Sequence, residues 1–423
     1  IALSLTPINN HIFMKSIFHF LTFITLVIFF SGCSGSKETY ERGKETGTGE
    51  GSLIRVLLDE QPDNYKFTAE SSVYLKQGKS YLALLNKGNT LSISNSGSGV
   101  EIEIGDKSFK GDDFELVSES SDASVDYKGS SYRGSINIIP DGSGIRIINF
   151  VSIEQYLKGV IPREMPAGKG DEYYEALKAF AICARTYTVS KINENKKLFD
   201  VFADTRDQVY GGSGTEKEII NKVVDETRGL ILTYDNKLAV TFYHSTCGGY
   251  TEDAKNVFPD KDLPYLKVVK DGDEPYCSIS PKFTWKEKMS KKTFIQRLVD
   301  AKYLDDTEYS VKDIKINSTF ESGRINELEI DLADRSNNSR SIKLYGNNIR
   351  YVIRTANGKS ILESNNFTVK IDPDNIIIDG RGYGHGVGLC QWGALAQSQQ
   401  GKSYEDILAF YYPGTKIESL NDL

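Results

Sequence analysis

Between Gly380 and Ala394 the chain reads GRGYGHGVGLCQWGA, with glycine at 380, 382, 384, 386 and 388 and again at 393. Glycine at every second position leaves alternate residues with no side chain to pack, so this stretch restricts the fold more than any other. It is not a dinucleotide loop, because no frame satisfies G-x-G-x-x-G. It is not a phosphate-binding P-loop either. Gly401-Lys402-Ser403 supplies the end of that motif, but Ala396 stands where its first glycine belongs. If the segment is extended, Arg381, Tyr383, His385, Val387 and Leu389 share one face and the glycines the other. A bare glycine face admits either a crossing backbone or a bound chain such as a sugar, and the sequence leaves both readings open.

The 423 residues carry a formal charge of -7, with 39% hydrophobic and 26% charged residues. That describes a folded body with room for two or three domains. No basic cluster tracks a phosphate backbone, so no nucleic-acid partner is expected. At the N-terminus, Met14-Lys15 precedes the apolar run Ile17 to Phe30, and Ser31-Gly32-Cys33 follows. A positive start, a short apolar core and small residues before a cysteine read as a lipoprotein signal over 14–33, with residues 1–13 untranslated. The run is short for a retained membrane helix. In this reading Cys33 carries lipid and the protein is extracytoplasmic, anchored to a membrane. Residues 34–52 contain no aliphatic residue and read as a flexible tether.

From 53 to about 150, alternating runs such as TLSISN and VEIEI between Gly, Asn and Asp predict β-strands, and 53–125 is read as a β-rich accessory region. Helices follow, giving an α+β chain overall, with 126–423 taken as one further domain. Ser152 to Gln155 offers a helix cap, and Pro162 is expected to stop that helix. Glu164 then falls on a loop between Pro162 and Pro166. A longer helix is expected over about 171–191, with Tyr173, Leu177, Phe180, Ala181, Ala184 and Tyr187 as its buried stripe and Cys183 as a small apolar residue within it. LILTY and LAVTFYHS read as strands. Ser403 to Asp406 offers a cap for a last helix. Once the signal is removed, His244 and His385 are the remaining histidines, each beside glycines and polar residues, which suggests a shared site. Glu164 suits either a helix-start carboxylate or a general acid whose pKa is raised by burial. Asp204 and Asp207 are the nearest candidates for a partner carboxylate, and each is more simply read as a solvated loop charge.

Taken together and in order, YLKGVIPREMP, EALKAFAICARTY, DQVYGG, YHSTCGG and GYGHGVGLCQWGA resemble the stage II sporulation protein D (SpoIID/LytB) family. The resemblance covers about Tyr132 to Thr415. It implies a SpoIID-type catalytic domain with a glycan groove, acting as a peptidoglycan lytic transglycosylase on peptide-stripped strands. The catalytic acid and base would be the glutamate of the E-M-P loop, here Glu164. Arg185, Tyr187, Gln208, Tyr210, His244, Ser245, Thr246, Tyr383, His385 and Gln391 would line the groove and bind substrate. Tyr383 and Trp392 would stack on sugar rings, Trp392 with a core role as the alternative. The other branch of the family implies a non-catalytic enhancer of a cell-wall amidase, and so an amidase partner. Some members bind zinc through Cys and His before the Gln-x-Tyr motif. Here DVFADTRDQVY has neither, so no metal or other cofactor is expected. His244, Cys247, His385 and Cys390 have the ligand count for zinc, while a disulfide from Cys247 to Cys277 or Cys390 is the simpler use in an oxidising compartment.

Overall fold

The computed structural model describes residues 52–422 apart from 61–64, 98, 119, 143, 169 and 195–197. The lipoprotein signal, Cys33 and the tether up to residue 51 lie outside the described residues. The alternating runs form strands with one face inward, as in Thr90–Asn95, where Leu91 and Ile93 are buried. They build two sheets. In the seven-stranded sheet, strand Leu53–Glu60 lies between Gly144–Ser152, antiparallel, and the short parallel strand Val201–Phe202. The six-stranded sheet runs from Ser130–Arg133 at one edge to Lys107–Gly111 at the other.

Both sheets bury their apolar faces in one core shared with the helices. These are α1 (Ile153–Glu164), α2 (Tyr174–Glu194), α3 (Glu218–Glu226), α6 (Gln391–Gln399) and α7 (Tyr404–Tyr411), while α4 (Lys291–Asp300) and α5 (Asn348–Ile353) lie outside this core. Ser152 caps α1 by accepting from the N–H of Gln155, and Ser403 and Asp406 form a reciprocal capping box on α7. The expected stripe on α2 is instead burial on every side from Ala179 to Thr186. This helix packs against α1, α3, α6, α7 and strand Leu230–Tyr234 at once. Its alanines at 179, 181 and 184 allow that close approach. A helix apolar or satisfied all round is a core helix, not a surface one.

Pro162 does not stop α1. It lies inside the helix, and the N–H of Met165 still bonds to the carbonyl of Ile161 at 2.9 Å. So late in a helix, proline costs a single donor, and the chain absorbs it. LAVTFYHS is strand only at Lys237–Leu238 and Tyr243–His244. Between them the backbone bonds elsewhere, as where Val240 N–H donates to the Tyr265 hydroxyl at 2.9 Å.

Residues 285–378 hold a second hydrophobic core, from Trp285 to Ile378, built on α4, α5 and two three-stranded sheets. Strand Asn375–Arg381 leads out of it into the glycine stretch.

Candidate active site and cysteine cluster

Glu164 is the last residue of α1 and is half-buried. Oε1 accepts from the N–H of Val209 at 2.9 Å, and the Gln391 amide donates to the same carboxylate. Burial raises its pKa, and these two bonds only partly oppose that. The Val209 donor is held in place by its neighbours. Gly211 N–H bonds to the Gly159 carbonyl of α1 at 3.1 Å, and Tyr210 N–H to Ala203 O at 3.1 Å. Gln391 comes from the other side as the first residue of α6, so two segments far apart in sequence meet on one carboxyl. Tyr243, which the sequence reading passed over, is also close enough for its hydroxyl to feel the Glu164 charge. That hydroxyl is buried and has no hydrogen-bond partner within normal geometry. Its place directly before His244, in a paired strand, was the available signal.

Most of the other residues expected to bind substrate are interior braces. Arg185 is 0% exposed and forks onto Glu154 of α1 at 2.9 and 2.8 Å. It also donates to the carbonyl oxygens of Leu230 and Val224, so it pins α2 to its neighbours and is not offered to a ligand. Gln208 is fully buried, and its carbonyl oxygen accepts from Tyr156 at 3.3 Å and Thr188 at 2.9 Å. Tyr210 is buried and donates to Asn149 at 3.1 Å. Thr246 is buried and shares a hydrogen bond with Ser280 at 2.7 Å. Asp207 is no solvated loop charge, because it accepts from the Tyr187 hydroxyl at 2.7 Å and from Phe202 N–H at 3.0 Å. Asp204 is exposed and paired with Arg206 at 2.8 Å. Tyr187, Ser245 and Trp392 are half-buried, and Tyr383 is exposed.

His244 and His385 do come together, with ring centroids 5.7 Å apart. The Nδ1 of each, however, serves the backbone, while His244 Nε2 is buried without a hydrogen-bond partner. His244 Nδ1 lies 3.1 Å from the Val387 carbonyl, and His385 Nδ1 accepts from Val387 N–H at 3.0 Å. Burial pushes the pKa of His244 well down. Burial, then the Arg350 and Arg324 charges, push His385 to about 3. Both rings are therefore held neutral, and neither belongs to the set of ligand atoms that converges among the described residues.

The glycine stretch is not an extended strand. Gly382, Gly384, Gly386 and Gly388 all have positive φ, between 73° and 111°. The alternation records repeated left-handed turns, which L side chains rarely adopt. A Cβ on Gly388 would lie 2.1 Å from the Phe242 carbonyl oxygen, and one on Gly386 would lie 2.4 Å from the Arg324 guanidinium. The bare face is filled by the protein's own segment 242–248 and by Arg324, so the crossing reading holds and the sugar-lined strand does not. Beyond the end of strand Asn375–Arg381, only Leu389–Cys390 is strand, paired in parallel with Tyr243–His244.

That pairing helps to gather a second cluster. One ligand atom from each of Cys247, Asp271, Cys277 and Cys390 lies within 4.8 Å of the others, and all four residues are buried. Among the described residues the cysteines are free thiols, with Cys247 and Cys277 Sγ 3.3 Å apart, so the expected disulfide is not formed. Cys183 stands apart, buried against the Tyr412 hydroxyl at 3.0 Å. Asp271, never singled out in the sequence, accepts from Cys277 N–H at 2.9 Å and from Tyr411 at 2.7 Å. Burial, with the neighbouring Cys277, raises its pKa to about 7.

Residues 141–234 match the family described as Stage II sporulation protein, and 278–388 match a domain of unknown function (DUF8618). An uncharacterized protein of Brachyspira hyodysenteriae is 36% identical over 295 residues, covering 69% of this chain and 74% of its own length. The amidase enhancer of Bacillus subtilis is 31% identical over 391 residues, which span 82% of this chain but only 51% of the enhancer. The stage II sporulation protein D of Bacillus subtilis is 31% identical over 285 residues, 63% of this chain and 74% of that protein. With the motifs in order and relatives matched over most of their length, the chain belongs to the stage II sporulation protein D family.

Proposed function

We propose that this protein remodels the bacterial cell wall as a lytic transglycosylase, cleaving the muramyl–glucosaminyl bond of peptide-stripped glycan strands. The observation that carries the reading is Glu164, a carboxyl at a helix end whose pKa is raised by burial. Such a group stays protonated higher in pH than an exposed glutamate and is suited to general-acid work. Glu164 gives its proton to the glycosidic oxygen as the bond to the anomeric carbon breaks. The C6 hydroxyl oxygen of the same muramyl unit attacks that carbon, and the Glu164 carboxylate takes the hydroxyl proton. The products are an anhydro-muramyl end and a free glucosaminyl hydroxyl, and no water is consumed. Hydrolases that activate water need a second, free carboxylate. Asp207 does not serve here, because both of its oxygens are already bonded within the fold. The exposed ring of Tyr383 and the half-buried Tyr187, Ser245 and Trp392 are left as the glycan-contacting set. In this reading lipid on Cys33 tethers the protein outside the cytoplasm, beside its substrate.

The likeness to an amidase enhancer supports a second reading, a glycan-binding regulator of a wall amidase. Digestion of purified glycan strands, with and without stem peptides, separates the two. Anhydro-muramyl ends on the stripped strands, detected by mass spectrometry, are expected. No products, together with a several-fold stimulation of an added amidase, would favour the regulator.

Gln391 provides a finer test. Its amide stabilises the charged form of Glu164, so Gln391→Leu raises the Glu164 pKa further. Activity depends on the protonated acid and is lost as pH rises through that pKa. The alkaline limb of the kcat/KM profile is therefore expected to move to higher pH, with peak activity kept within about tenfold of wild type. A limb that stays in place would remove Gln391 from the site.

A further inference from the structure

We infer that Cys247, Cys277, Cys390 and Asp271 form a closed, structural zinc site. The four ligand atoms converge within 4.8 Å of one another from three separate segments of the chain. A tetrahedral zinc with Zn–S bonds of about 2.3 Å sets its ligand atoms about 3.8 Å apart. The cluster has that size, and it is too small to surround an iron–sulfur cube. Three sulfurs select a thiophilic ion over calcium or magnesium, and three thiolates with one carboxylate complete a four-coordinate zinc shell with no open position.

The surroundings fit a second shell. Cys247 N–H donates to Cys390 Sγ at 3.2 Å, and the Tyr411 hydroxyl orients Asp271 through Oδ1 at 2.7 Å. Gly393 leaves the space for this contact, since a Cβ there would lie 2.0 Å from the Tyr411 hydroxyl oxygen. Ionised together, four such groups are stable in the interior only around a cation. Arg324, the buried guanidinium nearby, donates to the carbonyl oxygens of Cys247 and Tyr250 and leaves the sulfurs to an ion. The ion would tie the turn Tyr276–Ile279 to both partners of the parallel pair. One of those partners ends in Cys390, the residue before Gln391, so the site fixes the start of α6 from which Gln391 reaches Glu164.

The test is metal content, which does not depend on what the protein cleaves. The chain is purified without chelator or reductant and analysed by inductively coupled plasma mass spectrometry. About one zinc per chain is expected, and cobalt exchanged into the site should give thiolate-to-metal charge-transfer bands and a tetrahedral visible spectrum. Cys277→Ser and Asp271→Asn should each lower zinc retention against a competing chelator by about tenfold or more, while Cys183→Ser leaves it unchanged. The wild-type measurement stands even if a variant fails to fold. Metal-free protein whose intact mass lacks two hydrogens would overturn the inference in favour of a disulfide. Metal-free protein in which Cys183, Cys247, Cys277 and Cys390 are all alkylated after unfolding would overturn it in favour of plain buried thiols.

Discussion

Glu164→Gln is expected to lower the rate of glycan-strand cleavage by about a thousandfold or more without loosening the fold. The substitution keeps the shape of the side chain and an oxygen that can accept from Val209 N–H, which the carboxyl now does at 2.9 Å. It removes the proton that can be given and taken back. Stability should move slightly the other way. A carboxyl whose folded pKa is raised by burial binds its proton more tightly in the folded state than in the unfolded chain. Its contribution is therefore unfavourable above the folded pKa and vanishes below the unfolded one. The neutral amide removes that penalty, so the thermal midpoint of the variant near neutral pH is expected to equal or exceed that of wild type. Anhydro-muramyl products at an undiminished rate would remove Glu164 from the chemistry. A lost rate accompanied by a lowered midpoint would mark it as a structural residue.

How much of this could be read in the sequence depends on how local the signal was. Strands with alternating burial, the Ser152 cap and the Ser403 capping box were legible because each is written within a few residues. The glycine stretch was legible as unusual but not in its meaning. A period of two looks like a strand, and only backbone angles reveal that the glycines at 382, 384, 386 and 388 stand in left-handed turns. Glu164 stands out in the sequence as the candidate acid, yet its helix, its Val209 donor and Tyr243 depend on packing between segments that no spacing encodes. The same holds for Asp271, which joins the cysteines only through the turn that returns at Cys277. Polar residues in the motifs pointed towards ligands because polarity suggests exposure. In this fold Arg185, Gln208 and Thr246 are fully buried, and they are spent on holding the site together.

Arg185 is the sharpest case, and the effect of its loss should be large. Its guanidinium and the Glu154 carboxylate form a buried pair, with side chains 0% and 8% exposed. Removing one partner of such a pair leaves an uncompensated charge in the interior, which costs about 3–5 kcal/mol. In Arg185→Met the Glu154 carboxylate keeps the Gly229 N–H at 3.2 Å but loses both guanidinium bonds. The carbonyl oxygens of Leu230 and Val224 lose a donor as well. The denaturant midpoint should fall by an amount matching that energy. The double variant Arg185→Met, Glu154→Leu should recover most of it, because replacing both charges by apolar side chains of similar size removes the desolvation penalty along with the attraction. A groove-lining arginine behaves differently. Its loss would raise KM for glycan strands, leave the denaturation midpoint in place, and not be repaired by a change at Glu154. Measuring KM and the midpoint on the same three proteins therefore distinguishes a brace between α1 and α2 from a residue that touches substrate, and the buried fork in the structure predicts the brace.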